Sequence, residues 1–212
     1  MIYLIGLTGN IATGKSLAGK ILGALGAQVI DADALVRDLQ RQGTPIHAAI
    51  VAEFGSNILR ADPQDTLNGC GEIDRGQLGA RVFSDPQALD RLEAIVHPAV
   101  SVEIERRLSD LRRKRPASGL RTVAVIEAIK LIEAGLDKRC NALWVVTSKP
   151  EVQLERLMRT RGLSEAEARL RIEAQPPQSE KAALADVLIE NNGTLDDLCA
   201  QVRHDWERIL DM

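Results

Sequence analysis

The segment Gly9-Asn10-Ile11-Ala12-Thr13-Gly14-Lys15-Ser16 fits the pattern G-x-x-x-x-G-K-[ST]. It stands between an apolar run, Ile2 to Leu7, and an amphipathic stretch that begins near Lys15. That context restricts the fold sharply, because a strand must deliver the loop and a helix must leave it. Successive main-chain N–H groups of such a loop form a concave anion nest, and the helix start, Ser16 and Leu17, adds favourable dipole potential. Lys15 is expected to reach the β- and γ-phosphates of a nucleoside triphosphate, and the Ser16 hydroxyl to help hold Mg²⁺. Asn10 and Ala12 occupy positions where glycine is common; both are small, so the nest survives with less backbone freedom.

The rest of the chain supplies an alternation of strands and helices. Short apolar runs at Gln28–Ile30, Val123–Ile126, Leu143–Thr147 and Val187–Ile189 join the first to give about five strands. Leu17, Ile21 and Leu25 mark one face of the first helix, and Gly26 is a plausible end for it. A helical stretch runs to about Gln42 and is broken at Gly43-Thr44-Pro45. Residues 45–60 read as helical and then irregular, and 61–72 as an exposed loop. Residues 74–114 read as helical with an interruption near His97-Pro98. A charged helical pair covers 150–182, and a last helix from Thr194 carries Leu195, Leu198 and Val202 on one side. These patterns predict an α/β fold, a mostly parallel sheet with helices on both faces. Its organisation is expected to be one domain over 1–212: a core of 1–45, 120–150 and 183–212, a helical region of 46–119 and a lid of 151–182.

Composition removes several classes. With 212 residues, 45% apolar and 27% charged, the chain is an ordinary globular one. Aromatic residues are only 2%, so Leu, Ile, Val and Ala must build the core. A net charge of −3 argues against a nucleic-acid partner. Cys70, Cys140 and Cys199 are far apart, which fits free thiols. No run is long enough for a membrane span. A cytoplasmic protein, monomeric or a small homo-oligomer, is the expectation.

Ligands of parallel sheets sit at the carboxyl ends of strands. That edge gathers the loop, Asp31 and Asp33, Glu127, and Asn191-Asn192-Gly193. In an extended segment Asp31 and Asp33 would point to one side and serve as proton acceptor or Mg²⁺ partner; helix capping by one of them is the alternative. Glu127 follows four apolar residues, as a metal-assisting acid would, or it is a solvated strand end. Arg156, Arg159, Arg161, Arg169 and Arg171 crowd the helical pair; most such charges are solvated, yet phosphoryl transfer needs cations over the moving group. His97 alone makes no metal site and reads as structural. Neither N-K-x-D nor D-x-x-G, the guanine and γ-phosphate signals of a GTP switch, is present.

Together these residues resemble the dephospho-CoA kinase family over essentially the whole chain. The likeness runs from Ile5-Gly6-Leu7-Thr8-Gly9 and Gly14-Lys15-Ser16 through Val29-Ile30-Asp31-Ala32-Asp33. It continues in Ile73-Asp74-Arg75, Val82-Phe83, Leu92-Glu93 and His97-Pro98, then Arg156-Leu157-Met158, Gly162-Leu163-Ser164, Gln175, Lys181 and Asn191-Asn192-Gly193. The resemblance implies ATP-dependent phosphorylation of the ribose 3′-hydroxyl of dephospho-CoA. It implies Asp33 as general base, Asp31 orienting the site, and Arg156 closing over ATP. It also implies Asn191 and Gly193 near the adenine, and Arg75, His97 and Glu127 toward the acceptor. The chain departs from the family where it reads Ile129-Lys130-Leu131 in place of the usual Pro-Leu-Leu, and Thr160 stands where the lid often carries arginine. A nucleoside or nucleoside-monophosphate kinase of the same architecture is the alternative.

Overall fold

The computed structural model describes residues 2–60, 71–113 and 122–210. The expected loop at 61–72 lies mostly outside them, as does Cys70. The chain divides into two compact units, one of residues 1–31 and 108–212, the other of residues 32–107.

The first unit carries the sheet. Strands β1 (Ile2–Thr8), β2 (Gln28–Asp31), β3 (Thr122–Glu127), β4 (Ala142–Thr147) and β5 (Val187–Glu190) lie in the order β2-β3-β1-β4-β5, with every pairing parallel. Side chains alternate between the faces of a strand, and here both sets are buried. Ile5, Leu7, Val125, Trp144 and Val146 point one way, and Leu4, Ala124, Ile126, Leu143 and Val145 the other. A sheet buried on both faces explains why its strands read as unbroken apolar runs.

Helix α1 (Lys15–Ala24) packs on the first face beside the C-terminal helix, numbered α9 below. Its buried side is Lys15, Ala18, Gly19 and Leu22, not the predicted Leu17-Ile21-Leu25 stripe; Leu17 is 40% exposed. The phase is set by Lys15, which must face the strand ends, and the apolar stripe follows one position out of step. Gly26, at φ 107°, ends the helix as expected.

The second unit is helical: α2 (Ala32–Leu39), α3 (Pro45–Phe54), α4 (Arg75–Ser84) and most of α5 (Pro86–Arg113). Thr44 caps α3 by accepting from the His47 N–H, and Asp74 caps α4 by accepting from Gly76 and Gln77. Leu35, Ile50, Phe54, Ile58, Leu78 and Val82 are among its buried residues. The predicted interruption at His97-Pro98 is absent, since α5 runs through Pro98. Pro98 and Ala94, whose carbonyl loses its donor, are both exposed, so water can serve that carbonyl while Val96 and Val100 anchor the buried side. The break falls instead at Asp85, held extended before Pro86.

Three helices, not a pair, follow β4: α6 (Pro150–Arg161), α7 (Glu165–Glu173) and α8 (Gln178–Ala182). Helix α9 (Leu195–Leu210) buries Leu198, Val202, Trp206 and Ile209. Leu195, placed on that face by its spacing, is 54% exposed in the first turn.

Candidate active site

The carboxyl ends of the strands meet along one edge of the sheet unit. The loop after β1 is shaped by two glycines. Gly14 is left-handed (φ 95°), and a side chain there would overlap the Asn191 amide; one at Gly9 would run into the Val146 carbonyl. Ala12 holds φ 59°, a conformation that costs a non-glycine residue about 1 kcal/mol.

Main-chain N–H groups can face inward only if the loop's carbonyls are satisfied elsewhere. Arg156 does this: its guanidinium donates to the Ala12 and Thr13 carbonyls (3.3 and 3.2 Å) and to the Asn191 carbonyl (3.1 Å). The Asn191 amide donates to the Thr13 carbonyl at 2.8 Å, and the Ser148 hydroxyl lies 2.7 Å from the Asn191 carbonyl. Burial, then the nearby charge of Arg159, lowers the pKa of Arg156 from its ordinary value. Helices α6 to α8 hold the loop's other flank. Gln153 donates to the Ile11 carbonyl at 2.5 Å, Gln175 accepts from the Ile11 N–H at 2.7 Å, and Asn10 donates to the Pro176 carbonyl at 2.8 Å. Gln178 ties Ser148 to Gln153.

The floor of the site is a polar triad of Lys15, Ser16 and Glu127, in which the lysine and the glutamate are buried and the serine is exposed. Lys15 is 6% exposed and Glu127 4%. The ammonium lies 3.4 Å from Glu127 Oε1, and the Ser16 hydroxyl donates to the same oxygen at 2.6 Å. A carboxylate buried this way must be paired, and here a cation and a hydroxyl pair it. Glu127 is therefore not a solvated strand end. Gly19 leaves the room: a Cβ there would sit 2.5 Å from Glu127 Oε2. Asp31 ends β2 directly opposite Glu127 in the parallel register.

The structure thus brings together Gly9 to Ser16, Glu127, Arg156 and Asn191, with Asp31 on the adjoining strand. Leu17 enters through its backbone alone, its N–H bonded to the Gly14 carbonyl at 2.9 Å. Gly193 follows two residues after Asn191, against the Asp197 carboxylate. Asp33, Arg75 and His97 belong to the helical unit. The chain turns from strand to helix between Asp31 and Ala32, so the extended geometry expected for Asp31 and Asp33 is not present. Arg159 and Arg169 are exposed and paired with Glu155 and Glu165. Gly19, Ser148, Gln153 and Gln178 were not singled out from the sequence. For Gly19 a signal existed, its place one turn after Lys15; the others contact residues far away in sequence.

Similarities to known proteins bear on this geometry. A curated dephospho-CoA kinase from Geobacter sulfurreducens is 47% identical over 205 residues, covering 97% of this chain and 98% of that one. A solved Thermus thermophilus structure superposes with a TM-score of 0.73 at 32% identity, covering 98% of this chain and 97% of that one. A dephospho-CoA kinase from Campylobacter jejuni shares the fold, with a TM-score of 0.66 at 24% identity, covering 100% and 98%. The family model described as dephospho-CoA kinase matches residues 3–197. With a phosphate loop braced by Arg156 and Asn191 above a Lys15–Ser16–Glu127 floor, this chain belongs to the dephospho-CoA kinase family, whose members are ATP-dependent kinases acting on an alcohol.

Proposed function

We propose that this chain transfers the terminal phosphoryl group of ATP to the ribose 3′-hydroxyl of dephospho-CoA, giving CoA and ADP, the last step of coenzyme A synthesis. Family membership supports the acceptor, and the braced loop with its buried lysine is the observation that carries the donor. Such transfer needs little covalent help from the protein. It needs the two reactants aligned and the phosphate charge neutralised.

In this reading N–H groups of the loop from Gly9 to Gly14, other than those of Ile11 and Thr13 that bond Gln175 and the Asn10 carbonyl, cradle the phosphates, and Lys15 leaves Glu127 to follow the γ-phosphate. Ser16 and Glu127, a hydroxyl and a carboxylate 2.6 Å apart, are hard oxygen donors of the kind Mg²⁺ accepts. Among the described residues no cluster of three His, Cys, Asp or Glu could cage a metal. That suits an ion completed by phosphate oxygens and water. Mg²⁺ would supply charge neutralisation at the phosphates. Asp33 takes the proton of the attacking hydroxyl, and Asp31 orients the acceptor end of the site. Arg156 holds the loop's carbonyls away from the anion, a positioning role that leaves the transferring group to Lys15. Asn191 and Gly193 border the adenine, while Arg75 and His97 contribute to the acceptor side. The protein works in the cytoplasm as a monomer or small homo-oligomer, and no described helix is long and apolar enough to cross a membrane.

The test is mass spectrometry of purified protein with ATP, Mg²⁺ and dephospho-CoA. A product one phosphate heavier is expected. Transfer to nucleosides or nucleoside monophosphates, with none to dephospho-CoA, would replace this reading by the alternative kinase.

A further inference from the structure

Among the described residues of the sheet unit, one buried charged side chain takes no part in the phosphate chemistry above. Lys181, on α8, is 5% exposed. Its ammonium donates to the Ile129 carbonyl at 2.5 Å and lies 3.2 Å from the Glu133 carboxylate. Taking an ammonium out of water is costly, and the Glu133 side chain, 40% exposed, returns only part of that cost. An apolar residue of the same length would fill the space without it. The use of the charge therefore lies in the groups it holds.

Those groups belong to the chain just past Glu127. The Ala128 N–H donates to the Leu7 carbonyl at 3.1 Å. One residue on, the Ile129 carbonyl accepts from the Thr8 hydroxyl at 3.1 Å as well as from Lys181. Strand β1 delivers the phosphate loop and β3 delivers Glu127, and Leu7 opposite Glu127 is the last pair of their register. The bonds at Ala128 and Ile129 thus tie the two strands together beyond the sheet. The other end of Lys181 is held as well. Across residues 175–181, Gln175 and Pro176 bond Ile11 and Asn10, Gln178 bonds Ser148 and Gln153, and Lys181 closes the segment on Ile129.

We infer that Lys181 is a positioning residue for phosphoryl transfer: its grip on the Ile129 carbonyl sets the Glu127 carboxylate against Lys15 and Ser16. The inference rests on the donor site proposed above and not on the identity of the acceptor. Glu127 Oε1 meets Lys15 at 3.4 Å and Ser16 at 2.6 Å, so a shift of the main chain at 127–129 by a fraction of an ångström alters both contacts. Ser16 and Glu127 are the oxygen donors offered to Mg²⁺. The Mg²⁺ requirement is therefore the first quantity to respond, and turnover the second. ATP affinity at saturating Mg²⁺ responds least, because Arg156 and Asn191 brace the amide nest independently.

Lys181→Met tests this, since it removes the ammonium and keeps an unbranched side chain. The Thr8 hydroxyl still serves the Ile129 carbonyl and Glu133 is open to water, so the variant should fold. The Mg²⁺ concentration that half-saturates ATP binding, read by calorimetry, should rise about tenfold and kcat should fall about tenfold, the scale of losing an outer contact to a metal ligand. Lys181→Arg, which keeps a charged donor, should recover most of both. Thr8→Val acts on the same carbonyl from β1 and should move the Mg²⁺ requirement in the same direction by about threefold. Denaturant unfolding separates positioning from damage: a Lys181→Met protein of lower stability, with wild-type Mg²⁺ requirement and kcat, overturns the inference. Should Lys181→Met fail to fold, Thr8→Val decides, and an unchanged Mg²⁺ requirement there overturns the route through Ile129. Wild-type protein that binds ATP with Mg²⁺ but leaves dephospho-CoA untouched overturns the acceptor reading alone, because the calorimetric shift is measured without acceptor. Wild-type protein that binds no ATP overturns both.

Discussion

The two units of the chain carry charge in opposite ways. In the sheet unit the critical charges, Lys15 and Glu127, are buried and paired, and the anion site itself is made of main-chain amides held by Arg156 and Asn191. In the helical unit the arginines are exposed side chains fixed on a frame of caps and one short bridge. A site of backbone amides tolerates almost no change in shape, because each amide points where its carbonyl partner lets it point. A site of exposed guanidinium groups can lose one member and keep working more weakly.

If that contrast holds, substitutions in the sheet unit should harm folding or ATP use. Trp206→Ala removes a large buried side chain of the α1–α9 layer and should cost about 3–5 kcal/mol, read by denaturant unfolding. A loss under 1 kcal/mol would mean that layer is not the core it is drawn to be. Asp33→Asn, in the helical unit, should leave folding and ATP affinity alone while lowering turnover by roughly 10²-fold; near wild-type speed would remove Asp33 from the role of base. Arg156→Ala should weaken ATP binding about tenfold, since the Ala12 and Thr13 carbonyls lose their donor. An effect on kcat with ATP affinity intact would place that arginine over the transferring phosphate instead.

The smallest effect belongs to the surface of α5. Arg106 and Arg107, hydrogen-bonded to Glu103, hold its carboxyl at a pKa of about 2, below its usual 4.5. A depressed carboxyl pKa stabilises the fold above the unfolded value, and the contribution is lost as pH falls from about 4.5 toward 2. Solvent reaches this cluster, so Glu103→Gln should cost less than ~1 kcal/mol at neutral pH. The difference from wild type should vanish in unfolding curves near pH 2; a constant difference across that range would assign it to helix packing.

What could be read from the chain follows the same division. The loop from Gly9 to Ser16 and the five strands were legible, because a motif with fixed spacing and unbroken apolar runs are local signals. Asp31 and Glu127 could be placed at strand ends for the same reason. Of the braces, Arg156 and Asn191 were legible only through the family resemblance, and Gln153 not at all: it meets the loop from more than 140 positions away, and glutamine carries no periodicity that marks it as buried. The apolar stripe of α1 misled because Lys15 and Gly19, neither an obvious core residue, occupy the inward face. Pro98 misled in the opposite sense: a proline stops a helix only when the carbonyl it strands has no other partner, and exposure of that turn is not visible in sequence. The Leu59–Ile73 bridge, which brings the chain at 58–60 beside the start of α4, carries no local signal either.

The central claim is electrostatic: an ammonium at the mouth of the amide nest is what makes a polyphosphate bind and react there. Calorimetric titration of ATP with Mg²⁺ into Lys15→Ala, paired with its turnover rate, addresses it directly. The account predicts a properly folded protein with a loss of about 10³-fold in kcat/KM and clearly weakened ATP binding. Wild-type affinity and speed in that variant would contradict it.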